Sequence, residues 1–243
     1  MDELQQMILQ LHKESQKIGL KMNMKKTKVM FNNYIPNHVI KVDDEIIERV
    51  QEYIYLGQKI SANPNHESEI KRRIGMGWSA FGKQSSVMKS NLPIALKRKV
   101  YNQCILPVMT YGSETWSLTK ELERKLQSAQ RGMERIMLGI TLRDKKRASW
   151  IREQTKVEDI LSTVKRRKWT WAGHVMRRTD NRWTVRVTEW HPRDGKRRQG
   201  RQRIRWRDEI RSYAGKAWNR HTGERVKWKT LGKAFVLQWN NSG

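Results

Sequence analysis

Cysteine is all but missing from this 243-residue chain, in which Cys104 stands alone. One thiol excludes an internal disulfide and any structural zinc site built on two or more cysteines, so a folded state must rest on its core. Long apolar runs are missing too. No stretch of roughly 18 apolar residues occurs, and the segment after Met1 lacks the basic-then-apolar layout of a signal peptide. The expectation is a soluble intracellular protein without a membrane partner, placed in the nucleus or in a cytoplasmic ribonucleoprotein. Several catalytic signatures are absent: there is no Walker lysine loop, no Gly-x-Ser-x-Gly and no HExxH. His174 and His191 have no second ligand at metal-binding spacing. The acidic cluster Asp43-Asp44-Glu45 falls where a turn is expected, so no metal site is expected either. Cys104 has no base near it in sequence and reads as a core thiol on an apolar helical face.

Acid is scarce and base abundant. Lys and Arg number 51 against 24 Asp and Glu, a formal net charge of +27. Few partners other than polyphosphates suit such a charge, because Lys/Arg-rich surfaces gain affinity by releasing the counterions condensed on a phosphate backbone. The imbalance is also graded. Residues 1–60 carry nine basic residues against eight acidic ones, and residues 181–243 carry seventeen against five. Tryptophan follows the same gradient: of 11 in the chain, Trp78 and Trp116 alone precede Trp150.

Periodicity predicts a mainly helical α+β chain with a small antiparallel β part. Leu4, Ile8, Leu11 and Ile18, with Met7 beside them, form one face of a first helix that Gly19 ends. A strand at Val29–Phe31, a hairpin turning at Asp43-Asp44 and an alternating stretch over 52–60 make a small antiparallel sheet. Beyond Asn63-Pro64-Asn65 the pattern becomes helical, with Ile70, Ile74, Trp78 and Phe81 on one face. Leu96, Val100, Cys104 and Ile105 share the inner face of the next helix, until Pro107 ends or kinks it. Thr119 caps a third helix that buries Leu122, Leu126, Ala129, Met133 and Ile136 and stops at Gly139. Thr155 and Glu158 stand in capping-box spacing before a fourth. Trp183–Trp190 fits a strand or a helix equally. Residues 191–203, with Pro192, Gly195 and Gly200, read as an irregular basic loop. Short helices are expected around Ile210 and over 226–239.

The densest constellation is Lys165–Arg211, where 17 Lys/Arg meet five Asp/Glu and Trp169, Trp171, Trp183, Trp190 and Trp206 are interleaved. Guanidinium forks match phosphate oxygens, and indole faces take stacked bases, the usual means of holding single strands without reading sequence. The competing role for the indoles is core packing, which Trp169 and Trp206 favour because they share helical faces with Val164 and Ile210. The expected phosphate contacts are Lys196, Arg197, Arg198, Arg201, Arg203, Arg205 and Arg207, with Arg177 and Arg178 upstream.

The string Gly19-Leu20-Lys21-Met22-Asn23-Met24-Lys25-Lys26-Thr27-Lys28-Val29-Met30 is similar to the fourth palm motif of reverse transcriptases from non-LTR retrotransposons. Tyr53-Ile54-Tyr55-Leu56-Gly57 follows at the interval of their primer grip. Leu106-Pro107-Val108-Met109-Thr110-Tyr111-Gly112-Ser113-Glu114-Thr115-Trp116 resembles their thumb region. Trp171-Ala172-Gly173-His174-Val175-Met176-Arg177-Arg178, with Gly200-Arg201 and Arg205-Trp206-Arg207-Asp208, resembles their C-terminal tail. The likeness is nearest to RTE-like endonuclease and reverse transcriptase polyproteins. It implies a palm remnant over 1–62, a helical thumb over 63–150 and a basic Trp-rich tail over 151–243. It further implies binding of RNA, DNA or their hybrid, and gives Lys26 as a general acid and Tyr55, Leu56 and Gly57 as the primer grip. Lys71, Arg72, Arg73, Lys97, Arg98 and Lys99 would face the template and primer.

In that family the catalytic aspartates lie in two earlier motifs, upstream of the helix that opens this chain, and an endonuclease domain precedes them. Polymerisation needs two metal ions clamped by those carboxylates. The resemblance therefore implies an RNA-directed DNA polymerase whose magnesium belongs to the intact enzyme, and a C-terminal fragment inactive by itself. A non-enzymatic nucleic-acid-binding protein derived from a retroelement, and a non-functional transposon relic, stay open beside it.

Overall fold

The structure is a computed structural model and describes residues 2–31, 38–62, 66–180, 183–190 and 204–240, the side chains of 238–240 excepted. The fold is mainly helical, with small two-stranded ladders near the N-terminus. It divides into two compact units, residues 1–69 and 70–243. No described helix is long and apolar enough to cross a membrane.

The first unit opens with α1 (Asp2–Lys17), which ends before Gly19 at a φ of 77°. Its apolar face is largely in solvent, Met7 at 60% and Leu11 at 59% exposure, while Ile8 packs against a core of Phe31, Ile40, Val42 and Ile47. Polar clips hold the helix. The Gln5 amide exchanges hydrogen bonds of 2.6 and 3.0 Å with the Lys41 backbone, and His12 Nε2 lies 2.6 Å from Asp43 Oδ2. The strands are β1 (Lys28–Val29), β2 (Lys41–Val42), β3 (Glu45–Ile46), β4 (Glu48–Arg49), β5 (Glu52–Tyr55) and β6 (Gln58–Ser61). The expected single antiparallel sheet is replaced by three ladders: β2–β3 and β5–β6 are antiparallel, and β1–β4 is parallel. The reason is local. Asp43-Asp44 at φ 45° and 64°, and Leu56-Gly57 at 50° and 74°, form two-residue turns that pair each strand with its neighbour.

In the second unit α2 (Glu67–Lys83) buries Ile70 and Phe81, but Trp78 remains 36% exposed. The inward position is Gly77, whose missing side chain lets Met109 lie against the backbone. After α3 (Ser85–Met88) comes α4 (Ile94–Val100), which runs into a π-helical turn (Tyr101–Ile105) and then α5 (Leu106–Met109). This stretch corrects two expectations. Ile105 is buried and Val100 packs at the edge of the core as expected, but Lys97 and Tyr101 take the inward positions beside them, so Leu96 is exposed and Cys104 is an exposed thiol rather than a core one. Pro107, in the first turn of α5, cannot donate to the carbonyl an α-helix would offer it, and the wider turn precedes it.

A 3-10 turn (Ser113–Thr115) leads to α6 (Lys120–Leu138), capped by Thr119 accepting from Leu122 N and closed by Gly139 at φ 68°. Then follow α7 (Ala148–Thr155) and α8 (Ile160–Met176). The expected Thr155–Glu158 capping box does not form. Thr155 is buried in the last turn of α7, and Asp159 caps α8 by accepting from Ser162 N at 3.0 Å. The remaining helices are α9 (Trp183–Glu189), α10 (Asp208–Ala214), α11 (Trp218–His221) and α12 (Arg225–Asn240). Trp183–Glu189 is thus helical, which decides between strand and helix.

Two apolar clusters build this unit, and α8 belongs to both. Its N-terminal half adds Ile160, Leu161 and Val164 to the cluster of α2 to α6, and its C-terminal half adds Trp169 and Ala172 to a second one with Ile210, Trp218, Trp228 and Phe235. In the second cluster α8 and α12 interlock reciprocally. The Trp169 and Trp228 rings stack at 4.1 Å and 16°, and each indole Nε1 donates to the other residue's carbonyl oxygen, at 2.8 and 3.1 Å. A Cβ on Gly173 would fall 2.5 Å from Trp228 Nε1, and one on Gly232 2.5 Å from the Trp169 ring. Both helices therefore read Trp-x-x-x-Gly, and each glycine receives the other helix's indole.

Replacing Gly173 or Gly232 by Ala is expected to lower stability by about 1–3 kcal/mol through overpacking, read as a falling midpoint in thermal or urea unfolding. Alanine's helix propensity acts in the opposite direction by roughly 1 kcal/mol. A raised midpoint would contradict the interlock.

Candidate nucleic-acid interface

The basic, Trp-rich stretch sorts into an inside and an outside. Inside lie two lysines one turn apart on α8, Lys165 and Lys168, each with a side chain only 2% exposed. Lys168 Nζ bonds Glu209 at 2.8 Å, and Lys165 Nζ stands 3.5 Å from Glu123 and 3.8 Å from Glu209. Burial pushes the Lys165 ammonium below its ordinary range, and Glu123 and Glu209 oppose that shift. This cluster ties α10 to α8 and α6. The segment just before α10, Arg205–Arg207, is thereby fixed too, with Arg205 N bonded to Asp208 Oδ2 at 2.8 Å and Trp206 Nε1 to Glu114 O at 2.6 Å.

Outside lies a cleft of about 630 Å³ formed by the C-terminal half of α8, by α9 and by the Arg205–Arg207 segment. Val175 and Trp206 make its apolar floor, while Trp171, Trp183 and Trp190 stand in its wall at 37%, 74% and 67% exposure. Among the described residues, Arg205 and Arg207 line it and no Asp or Glu does. The Arg207 guanidinium donates to Thr188 O at 3.0 Å, and burial followed by neighbouring Arg205 and Arg211 holds it below the usual arginine range. Arg186 lies over the Trp183 ring at 5.6 Å. Indole faces beside guanidinium groups, with no carboxylate on the lining, offer stacking to planar rings and charge to phosphate.

The other sequence-derived candidates scatter. Arg177 donates to Thr222 O at 3.0 Å, on the side of α8 facing α12, and Arg178 lies near Asp180 at 3.6 Å. Lys97 is buried and donates to Met137 O at 2.8 Å, so its ammonium serves the helix packing. Arg73 is buried with its guanidinium 4.6 Å from the Tyr111 ring centre, and Arg72 reaches Met76 Sδ at 3.1 Å. Lys71 and Lys99 are exposed and Arg98 is half-buried. In the first unit the exposed Lys26 sits in a turn whose carbonyl accepts from Tyr53 OH at 2.9 Å. That bond joins the Lys26 turn to the β5–β6 hairpin, whose tip carries Tyr55, Leu56 and Gly57. Lys196, Arg197, Arg198, Arg201 and Arg203 lie outside the described residues.

The magnesium that the resemblance implies finds no fitting donors here. Among the described residues no three His, Cys, Asp or Glu side chains converge, and Asp43 is engaged by His12. What sequence reasoning missed is the division of labour among like residues. Lys165 and Lys168 look like any other basic pair, and their i, i+3 spacing with Glu123 and Glu209 far off in sequence gives no signal of burial.

No protein-family model matches the chain, and no solved structure does. A transposon-derived protein of Caenorhabditis elegans is 36% identical over 218 residues, which cover 84% of this chain and 76% of that protein.

Removing Glu209 as Ala takes the carboxylate from buried Lys168 and leaves Lys165 with Glu123, and is expected to cost about 3–5 kcal/mol. Lys165→Met leaves Glu123 and Glu209 beside Lys120 and Lys168 and is expected to cost under about 1.5 kcal/mol. Denaturant unfolding of the two variants tests the order. Equal losses would mean that the carboxylate does not hold the cluster.

Proposed function

The chain belongs to the family of that Caenorhabditis elegans transposon-derived protein, and from this premise we propose that it is the thumb-and-tail part of a non-LTR, RTE-like retrotransposon reverse transcriptase, acting by gripping nucleic acid without reading its sequence. The observation that carries the reading is the cleft in which Trp171, Trp183 and Trp190 stand exposed beside Arg205 and Arg207. Large indoles left in water on α8, on α9 and just after α9 contribute little to the fold, and they suit stacked bases. The charge gradient supports the same reading, because the strongly basic segment 191–203 is joined directly to Trp190 and to Ile204. In the first unit, the bond between Tyr53 and the Lys26 turn is compatible with the primer-grip and palm assignments of those two motifs. The activity proposed for residues 1–243 is binding.

Fluorescence anisotropy with single-stranded and duplex RNA, DNA and hybrid oligonucleotides is the test. Binding is expected to weaken linearly in log Kd against log salt, with little dependence on sequence. The double variant Trp183→Ala/Trp190→Ala is expected to lose about 1–3 kcal/mol per stacked base on single strands, with unfolding unchanged within roughly 0.5 kcal/mol. Arg205→Ala/Arg207→Ala is expected to flatten the salt slope. Absence of binding at low salt would sink the proposal. Primer extension with added magnesium is expected to incorporate no nucleotide, and incorporation would show that the chain is more than a grip.

A further inference from the structure

A second basic cleft lies away from the tryptophans, between α6 and α7. Arg124, Arg131, Arg135 and Arg152 line it, with Gly132 on its wall and Ala148 at its lip, in a volume of about 640 Å³. Among the described residues, no Asp or Glu is on the lining. Nearby carboxylates answer two of the four arginines: Arg131 pairs with Glu134 and, at 3.3 Å, with Asp159, and Arg152 stands 3.8 Å from Asp159. Arg124 makes a single bond, from its Nε to Lys120 O at 3.3 Å. Among the described residues, Arg124 and Arg135 have no carboxylate at ion-pair distance, so two positive charges remain uncompensated.

Two independent features point to an anion as the ligand of the cleft. The Arg131 side chain is 93% buried, yet its Nε has no acceptor, and the Nε of Arg152 is buried without one as well. Buried donors are normally satisfied, and two orphaned guanidinium donors on one cleft are unusual. In addition, α7 begins at Ala148 with no side-chain cap and no acid in its first turn, leaving its first amide N–H groups and the positive end of its dipole open at the lip. Guanidinium forks and a bare helix start together match a tetrahedral anion better than a carboxylate or a neutral group.

We propose that this cleft binds a phosphate group, and that its source is the backbone of the nucleic acid held by the chain; the second part rests on the binding function proposed above. Arg124 and Arg135 supply the charge, and Arg131 and Arg152 line the cleft beside them.

The experiment uses the full chain and the double variant Arg124→Gln/Arg135→Gln, with Arg135→Glu as a second variant in case the first does not fold. Oligonucleotide anisotropy against salt is read beside thermal shift in inorganic phosphate at constant ionic strength. The expected result is a salt slope shallower by about one to two in the double variant, with about tenfold weaker binding at moderate salt and a phosphate-dependent melt seen only in the wild type. An unchanged slope together with an unchanged phosphate shift overturns the cleft. A phosphate shift lost in the variant while oligonucleotide binding stays intact overturns the backbone as the source and leaves a site for free phosphate. A wild type that binds no oligonucleotide at all refutes the proposed function instead, and the phosphate shift then decides the cleft by itself.

Discussion

The second unit depends on one packing event, the reciprocal interlock of Trp169 and Gly173 on α8 with Trp228 and Gly232 on α12. An indole is costly to bury unless its N–H finds an acceptor. Here each finds the backbone carbonyl of the other tryptophan, at 2.8 and 3.1 Å, and the two rings stack on each other. The glycines make that approach possible, since a methyl at either position would lie 2.5 Å from an indole atom. The result is a polar-satisfied aromatic pair at the centre of a segment otherwise dominated by charge. Phe235, Tyr213 and Trp218 then add edge and tilted contacts around it. Without the interlock, the C-terminal half of α8 has no apolar partner large enough to offset its lysines and arginines.

From α8 the order spreads by electrostatics. Lys165 and Lys168 point from the helix into a site that also receives Glu123 from α6 and Glu209 from α10. Buried ion clusters contribute less net stability than their geometry suggests, because desolvation consumes most of the Coulomb gain. What they do well is select one arrangement: α10 docks only where Glu209 meets both ammonium groups. With α10 docked, Trp206 is drawn to Glu114 O and the Arg205–Arg207 segment is held against the Trp171 side of α8. A chain of +27 can thus fold because part of its excess charge is taken inside, beside the few carboxylates available.

Much of this was legible in the residues one by one. Thr119 and Gly139 bound α6 where the sequence places them, Asp43-Asp44 turns its hairpin, and Trp169 and Ile210 are core. The misses share a cause. Sequence periodicity sees apolar residues and no tertiary partner: Lys97 reaches Met137 O and the row that packs is Lys97, Tyr101 and Ile105, which leaves Leu96 and Cys104 outside. Local capping rules favoured Thr155 and Glu158, but Thr155 is drawn into the packed end of α7, and Asp159 takes the cap. Lys97 and Arg73 read as surface cations because a single sequence does not reveal the distant carbonyl or ring that receives them. The small antiparallel part is present as two hairpins, each closed by its own two-residue turn, and the parallel β1–β4 ladder beside them has no signature in the alternation of the sequence.

The same sorting bears on function. Eleven tryptophans and 51 cations cannot all be binding groups, and counting them gave no way to choose. The fold chooses by satisfying some and leaving others. Trp116, Trp169, Trp218 and Trp228 are buried, and Lys97, Lys165 and Lys168 are enclosed with acceptors or carboxylates. Trp171, Trp183 and Trp190 gather in a cleft that no carboxylate of the described residues lines. Leaving three indoles exposed side by side forfeits apolar burial that a thin core would otherwise use. A surface that keeps such groups in water, next to guanidinium forks, is therefore better explained by a partner that covers it than by the needs of the chain alone. Because indole faces stack on any base and guanidinium forks grip any phosphate, the nucleic acid proposed as that partner would be held by its polymer chemistry and not by its sequence.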